Sequence, residues 1–152
     1  MTPLTQHFTL DELVASQTAV RFGLDNTPPP GVVSNLKMLA VVLEQVRELL
    51  GVAVLVSSGY RSERVNVAVG GKPNSRHSLG LAADFTAPQY GTPLEVAQRI
   101  SASSILFDQL IHEFGSWVHI SIALERPRLE LLTIDRLGTR AGLLEVRRTA
   151  GS

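Results

Sequence analysis

Leu36, Leu39, Leu43, Val46 and Leu50 recur at spacings of three and four residues, and Gly51 follows at once. That period lays one apolar stripe along a helix, with Lys37, Glu44, Arg47 and Glu48 mostly on the other side. A lone stripe has to be buried against a second layer. The segments that follow supply strands for it. Val52 to Ser57 is a short β-branched run, and Leu81 to Thr86 is a second candidate strand. Phe107 to Glu113 and Trp117 to Ile122 read as a hairpin around Gly115-Ser116. Between them, Ser62 to Val69 reads as a helical turn ended by Gly70-Gly71. Thr92-Pro93-Leu94-Glu95 is a capping box with proline at the first helical position, predicting a helix to about Ala102. Helices lead and strands cluster later, so the fold class is α+β.

The two ends are read more coarsely. Thr9 and Glu12 form a capping box, flanked by Phe8 and Leu13 at staple positions, and predict a helix from Leu10 to about Ser16. A polar stretch then leads to Pro28, Pro29 and Pro30, a run that cannot be helix interior and reads as a surface connection. After the hairpin the chain alternates weakly from Leu129 to Asp135, turns at Gly138, and ends in a polar segment expected to fray. Arg147-Arg148 and His7 read as solvated residues. The chain reads as one domain over residues 1–152, with a core at about 8–122 and a C-terminal strand and tail at 123–152.

Composition narrows the chemistry. Cysteine is absent, which excludes disulfides, thiolate catalysis and thiolate metal sites, so any metal must sit on His, Asp or Glu. Lys plus Arg and Asp plus Glu are both 14, and this balance argues against a nucleic-acid partner. The longest apolar stretch, Met38 to Leu43, is too short for membrane insertion. The start, Met1 to Gln6, lacks a basic segment followed by an apolar run, so the expectation is synthesis in the cytoplasm without a signal peptide.

Two histidines stand in unusual company. Ser75-Arg76-His77-Ser78-Leu79-Gly80 is a turn that leads into Leu81-Ala82-Ala83-Asp84, which places a carboxylate inside an apolar strand. Asp is disfavoured there and rarely buried unpaired. Strand alternation turns Asp84 away from Leu81, Ala83 and Phe85, toward something that meets its charge: a divalent cation or an arginine. In Trp117-Val118-His119-Ile120-Ser121-Ile122 the same alternation puts the apolar residues on one face and Trp117, His119 and Ser121 on the other. Together His77, Asp84 and His119 would leave a fourth position open, the arrangement of a catalytic zinc site; the alternative on spacing alone is that they are satisfied polar groups of the core.

Several segments together resemble a known family. They are Ser57-Ser58-Gly59-Tyr60-Arg61-Ser62, Val69-Gly70-Gly71, Ser75-x-His77-x-x-Gly80-x-Ala82-x-Asp84 and Trp117-x-His119-x-Ser121, preceded by His7-Phe8-Thr9-Leu10-Asp11-Glu12-Leu13. In this order, from about Phe8 to Ile122, the chain resembles the zinc D-Ala-D-Ala carboxypeptidase-like peptidases (the M15 peptidases), particularly a phage and prophage branch. The resemblance implies a hedgehog-like α+β fold, with helices packed on a small antiparallel sheet. It implies Zn²⁺ on His77, Asp84 and His119, and Arg61 against substrate and the developing oxyanion. It also implies a D,D-carboxypeptidase or endopeptidase acting on peptidoglycan stem peptides or cross-links, reaching the cell wall by a holin, a virion or lysis. Many relatives place the general base three residues before the last ligand; here that residue is Ser116, which cannot act as a base at neutral pH. The role passes to Glu113, with His112 as the alternative on the opposite strand face. Ser75, Gln109, Trp117 and Ser121 are candidates for supporting or substrate contacts. An inactive zinc-stabilised structural module of a phage particle and a cytoplasmic D-Ala-D-Ala dipeptidase are the competing readings.

Overall fold

The computed structural model describes residues 2–147. Thr9 caps α1 (Leu10–Val14), accepting a hydrogen bond from the Glu12 N–H at 3.2 Å. The helix does not reach Ser16 as expected. Ala15 is extended, and the Ser16 hydroxyl accepts the Ala19 N–H at 3.1 Å to start a new helix, α2 (Gln17–Phe22), closed by Gly23 at φ 63°. A serine that bonds forward to the backbone ends one helix as readily as it begins the next. The stretch read as a plain connection therefore holds a helix. Pro30 is likewise not part of that connection; it is the first residue of α3 (Pro30–Leu50), where its missing N–H costs nothing. Gly51, at φ 70°, ends α3 as expected.

The strands are β1 (Leu55–Ser58), β2 (Ala82–Thr86), β3 (Gln109–Glu113), β4 (Trp117–Ser121), β5 (Glu130–Asp135) and β6 (Gly138–Ala141). β1 starts three residues later than the β-branched run suggests. Ser62 caps α4 (Glu63–Ala68), and the Thr92–Glu95 capping box opens α5 (Pro93–Ser101). The strands form one sheet in the order β1-β2-β4-β3-β5-β6. All neighbours are antiparallel except β3 and β5. That parallel pair arises because β4 carries the chain back to the starting end of β3, so β5 runs in the same direction as β3.

One sheet face is covered. The stripe of α3 packs with Ala83, Phe85, Leu110, Val118 and Ile120 from the strands and Val96, Ala97 and Ile100 from α5. Period-two alternation then sends Asp84 and His119 to the opposite face. They are direct cross-strand partners, with Ser58 beyond Asp84 and Ile111 beyond His119.

The segments around His7 and Arg147 are held more firmly than the sequence suggests. His7 is not merely solvated: its backbone N–H donates to Glu44 Oε1 at 2.6 Å and its Nδ1 lies 2.9 Å from Glu44 Oε2, which fastens the N-terminal segment to α3. Arg147 is not free charge either. Its guanidinium and backbone N–H grip the buried Asp135 carboxylate at 2.8–3.0 Å, and Arg140 joins at 3.2 Å. Arg148 and the rest of the expected fraying tail lie outside the described residues.

The Arg147 hydrogen bonds hold the Asp135 carboxyl far below the usual carboxylate range. Such a group stabilises the fold fully above the unfolded-chain value of about 4, and the benefit is lost as pH falls through the lower folded value. Asp135→Asn is therefore expected to lower the thermal midpoint at pH 7. The gap to the wild type should close only in strongly acidic solution, which calorimetry across a pH series measures; a gap independent of pH would contradict the assignment.

Candidate metal centre

Three segments bring the centre together. The polar faces of β2 and β4 supply Asp84 and His119, and a 3₁₀ turn, Arg76–Leu79, supplies His77. Ser75 caps that turn, accepting the His77 N–H at 3.2 Å, and Gly80 leaves it at φ 73°. His77 is buried and Asp84 and His119 nearly so. One ligand atom from each of the three lies within 4.8 Å of the others. The polar strand face predicted for Asp84 and His119 is present, and His77 folds over it.

The hydrogen bonding shows what this cluster needs. His77 Nδ1 lies 2.8 Å from the Gly59 carbonyl oxygen, which can only accept. Nδ1 therefore carries a proton, and Nε2 is the nitrogen left to face the carboxylate. Nε2 lies 3.3 Å from Asp84 Oδ1, and the same oxygen lies 2.9 Å from His119 Nδ1. Two acceptors facing each other repel unless a cation, either a proton or a metal, lies between them. Burial pushes the Asp84 carboxyl up, but the hydrogen bonds and charge of His119 and His77 overcome this and hold it well below the usual range. The donor set of two imidazoles and one carboxylate suits zinc, and the backbone carbonyl behind His77 is the orienting partner that metal-binding histidines commonly have.

Glu113 and Arg61 flank the cluster. Glu113 Oε1 is 3.8 Å from His119 Nδ1, so alternation along β3 brings this carboxyl, and not His112, to the centre. His112 faces the other way, buried, with Nδ1 2.9 Å from the Leu144 carbonyl. Burial raises the Glu113 pKa and Asp84 raises it further; His119, Arg61 and the Trp117 N–H act against the shift. Arg61 follows β1, half-buried, with Nε lacking a hydrogen-bond partner among the described residues. Burial works against its charge, and the carboxylates of Asp84 and Glu113 support it.

The remaining candidates have contacts of their own. Ser121 is fully buried, and its hydroxyl accepts the Gln109 N–H at 3.1 Å across the hairpin. The Gln109 side chain turns to Glu130 on β5, at 2.6 Å. Trp117 packs on Phe114 with ring centroids 5.5 Å apart, and its buried indole N–H makes no well-formed hydrogen bond. Ser116 is exposed on the hairpin turn and donates to the Phe114 carbonyl at 3.2 Å.

The positioning roles of two residues, Gly59 and Asn26, are not marked in the sequence. Gly59 supplies the carbonyl behind His77, and a Cβ there would overlap the Leu13 carbonyl oxygen, which the Tyr60 N–H also meets at 2.8 Å. Asn26 donates to the Val14 and Tyr60 carbonyls at 2.8 and 3.1 Å and accepts the Ser62 N–H at 2.7 Å, which pins the loop that bears Arg61. The available signal was an Asn in a short polar run before prolines, which marks a turn and says nothing of distant partners.

A family model described as peptidase M15 matches residues 6–121. The chain belongs to the M15 peptidases. No curated protein matches it. The M15 match makes the chain a metallopeptidase by family, and it spans the candidate ligands together with Arg61 and Glu113 while stopping short of β5 and β6. These last strands extend the sheet beyond β3 without contributing to the His-Asp-His group.

Gly59→Ala is expected to displace the carbonyl that orients His77 and so weaken divalent-cation binding by about 10- to 100-fold. Competition with a chromogenic chelator checks this; unchanged affinity would show that the Gly59 contact does not position the imidazole.

Proposed function

We propose that this protein is a zinc-dependent peptidase that hydrolyses peptide bonds in the stem peptides or cross-links of bacterial peptidoglycan. His77, Asp84 and His119 would hold the zinc. The observation that carries the reading is the convergence of His77 and His119 on one Asp84 carboxylate oxygen, inside a chain of the M15 family. Bound zinc would supply Lewis acidity, polarising a peptide carbonyl and acidifying water.

The chain's own residues do the rest. Gly59 and the Ser75 cap keep the His77 ring in one orientation. Glu113 receives the proton that leaves the attacking water and passes it to the departing amine; its raised pKa moves it toward the value suited to both tasks near neutrality. Arg61 offers a half-buried guanidinium, whose Nε has no hydrogen-bond partner among the described residues, to the oxyanion that develops on the carbonyl, or to a substrate carboxylate. Ser116 needs no catalytic role, because a carboxyl three residues earlier on the same hairpin reaches the centre instead. On its resemblance to the phage and prophage branch, we assign the enzyme to phage lysis or to a virion.

Purified cell wall is the test substrate. Removing zinc should abolish release of wall peptides, and added zinc should restore it. His77→Ala should lose both metal and activity. Glu113→Gln should retain one zinc per chain and lose about 10²- to 10⁴-fold in turnover. Cleavage that survives complete demetallation would end this reading, and full activity in Glu113→Gln would remove Glu113 from the proton path.

A further inference from the structure

A cleft of about 870 Å³ opens beside the candidate metal centre, a size that encloses a short peptide. Arg61 and Asp84 contribute to it from the centre, β1 contributes Ser57 and Ser58, and α2 contributes Thr18 and Arg21. The helix that the sequence reading missed is thus one wall of the space next to the reactive groups. The opposing strand, β1, is an edge strand, and among the described residues no strand pairs with its outer side. An extended peptide can lie along such an edge.

Charge limits what that peptide is. Among the residues lining the cleft only Arg21, Arg61 and Asp84 are charged, and Asp84 is committed to two imidazoles. The two arginines are left over. Arg21 is exposed, and among the described residues it makes no hydrogen bond or ion pair. It is not needed to close α2, because the Gly23 N–H already meets the Ala19 and Val20 carbonyls. An unpaired guanidinium on the wall of a cleft matches a carboxylate.

We propose that this cleft seats an acidic peptide along the edge of β1, and that Arg21 determines specificity by pairing with a substrate carboxylate remote from the bond that is cut. The inference rests on the peptidase reading above and adds the substrate's charge to it. Arg21 acts on binding, while the groups around His119 act on the chemistry.

The test uses a synthetic stem pentapeptide in two forms, with the carboxylate of its internal acidic residue free or amidated. Steady-state kinetics of the zinc-loaded wild type, Arg21→Ala, Arg21→Glu and a control, Arg99→Glu on the exposed side of α5, separate KM from kcat. The wild type and the control should favour the free carboxylate. Arg21→Ala should erase that preference through KM, and Arg21→Glu should raise KM for the acidic form by about tenfold or more. An Arg21→Glu enzyme with wild-type KM for both forms would overturn the proposal. Fluorescence anisotropy with the same two peptides, labelled, separates this failure from failure of the peptidase reading. Binding that prefers the acidic form and depends on Arg21, in a protein without turnover, upholds the cleft and sinks the enzyme. Turnover or binding indifferent to Arg21 sinks the cleft alone.

Discussion

The Asp84 carboxylate sits on the inner part of a sheet, almost out of water, and it stays ionised only because positive charge is brought to it. The sheet supplies one partner through register, since His119 is the residue directly across from it on β4. A separate turn supplies the other, since His77 folds over from the 3₁₀ segment. Both imidazoles converge on a single carboxylate oxygen. Much of the architecture around them works to keep that geometry in place.

That requirement explains several features away from the cluster. The Gly59 carbonyl fixes the protonated nitrogen of His77, and Gly59 has to be glycine because the Leu13 backbone passes where a side chain would stand. Leu13 is itself buried and belongs to the capped α1, so the N-terminal helix sets the position of a metal-facing imidazole. Asn26 does the same for Arg61 by joining the end of α1 to the loop after β1. Behind His77, Arg76 reaches the buried Asp108 at 3.2 Å, and Arg128 meets the same carboxylate at 2.7 Å. The turn is therefore tied at its back to the segments that enter β3 and β5. The apolar face of the sheet holds the strands on α3 and α5, and the polar face is left to the reacting groups.

The parts legible in the sequence were those written in local patterns. The stripe from Leu36 to Leu50, the Thr92 capping box and the alternation around Asp84 and His119 each state their structure within a few residues. That alternation also separated Glu113 from His112, and the structure keeps them on opposite faces. What escaped depends on distant contacts or on competition between signals. Ser16 looked like the end of one helix and proved to be the cap of another. The β3–β5 pairing has no local mark, because parallel neighbours are chosen by topology. Arg147 reads as a solvated charge until β5 places the Asp135 carboxylate before it. Ser121 and Gln109 shared a face with the site, but hairpin and sheet hydrogen bonds claimed them.

The account depends on His77, Asp84 and His119 gripping one cation together. X-ray absorption spectroscopy of the zinc-loaded protein, with metal analysis of the same sample, addresses that most directly. One zinc per chain, bound by two imidazole nitrogens and oxygen ligands at about 2.0–2.2 Å, is the expected result. A protein that takes up no zinc, or holds it without imidazole in the first coordination sphere, would contradict it.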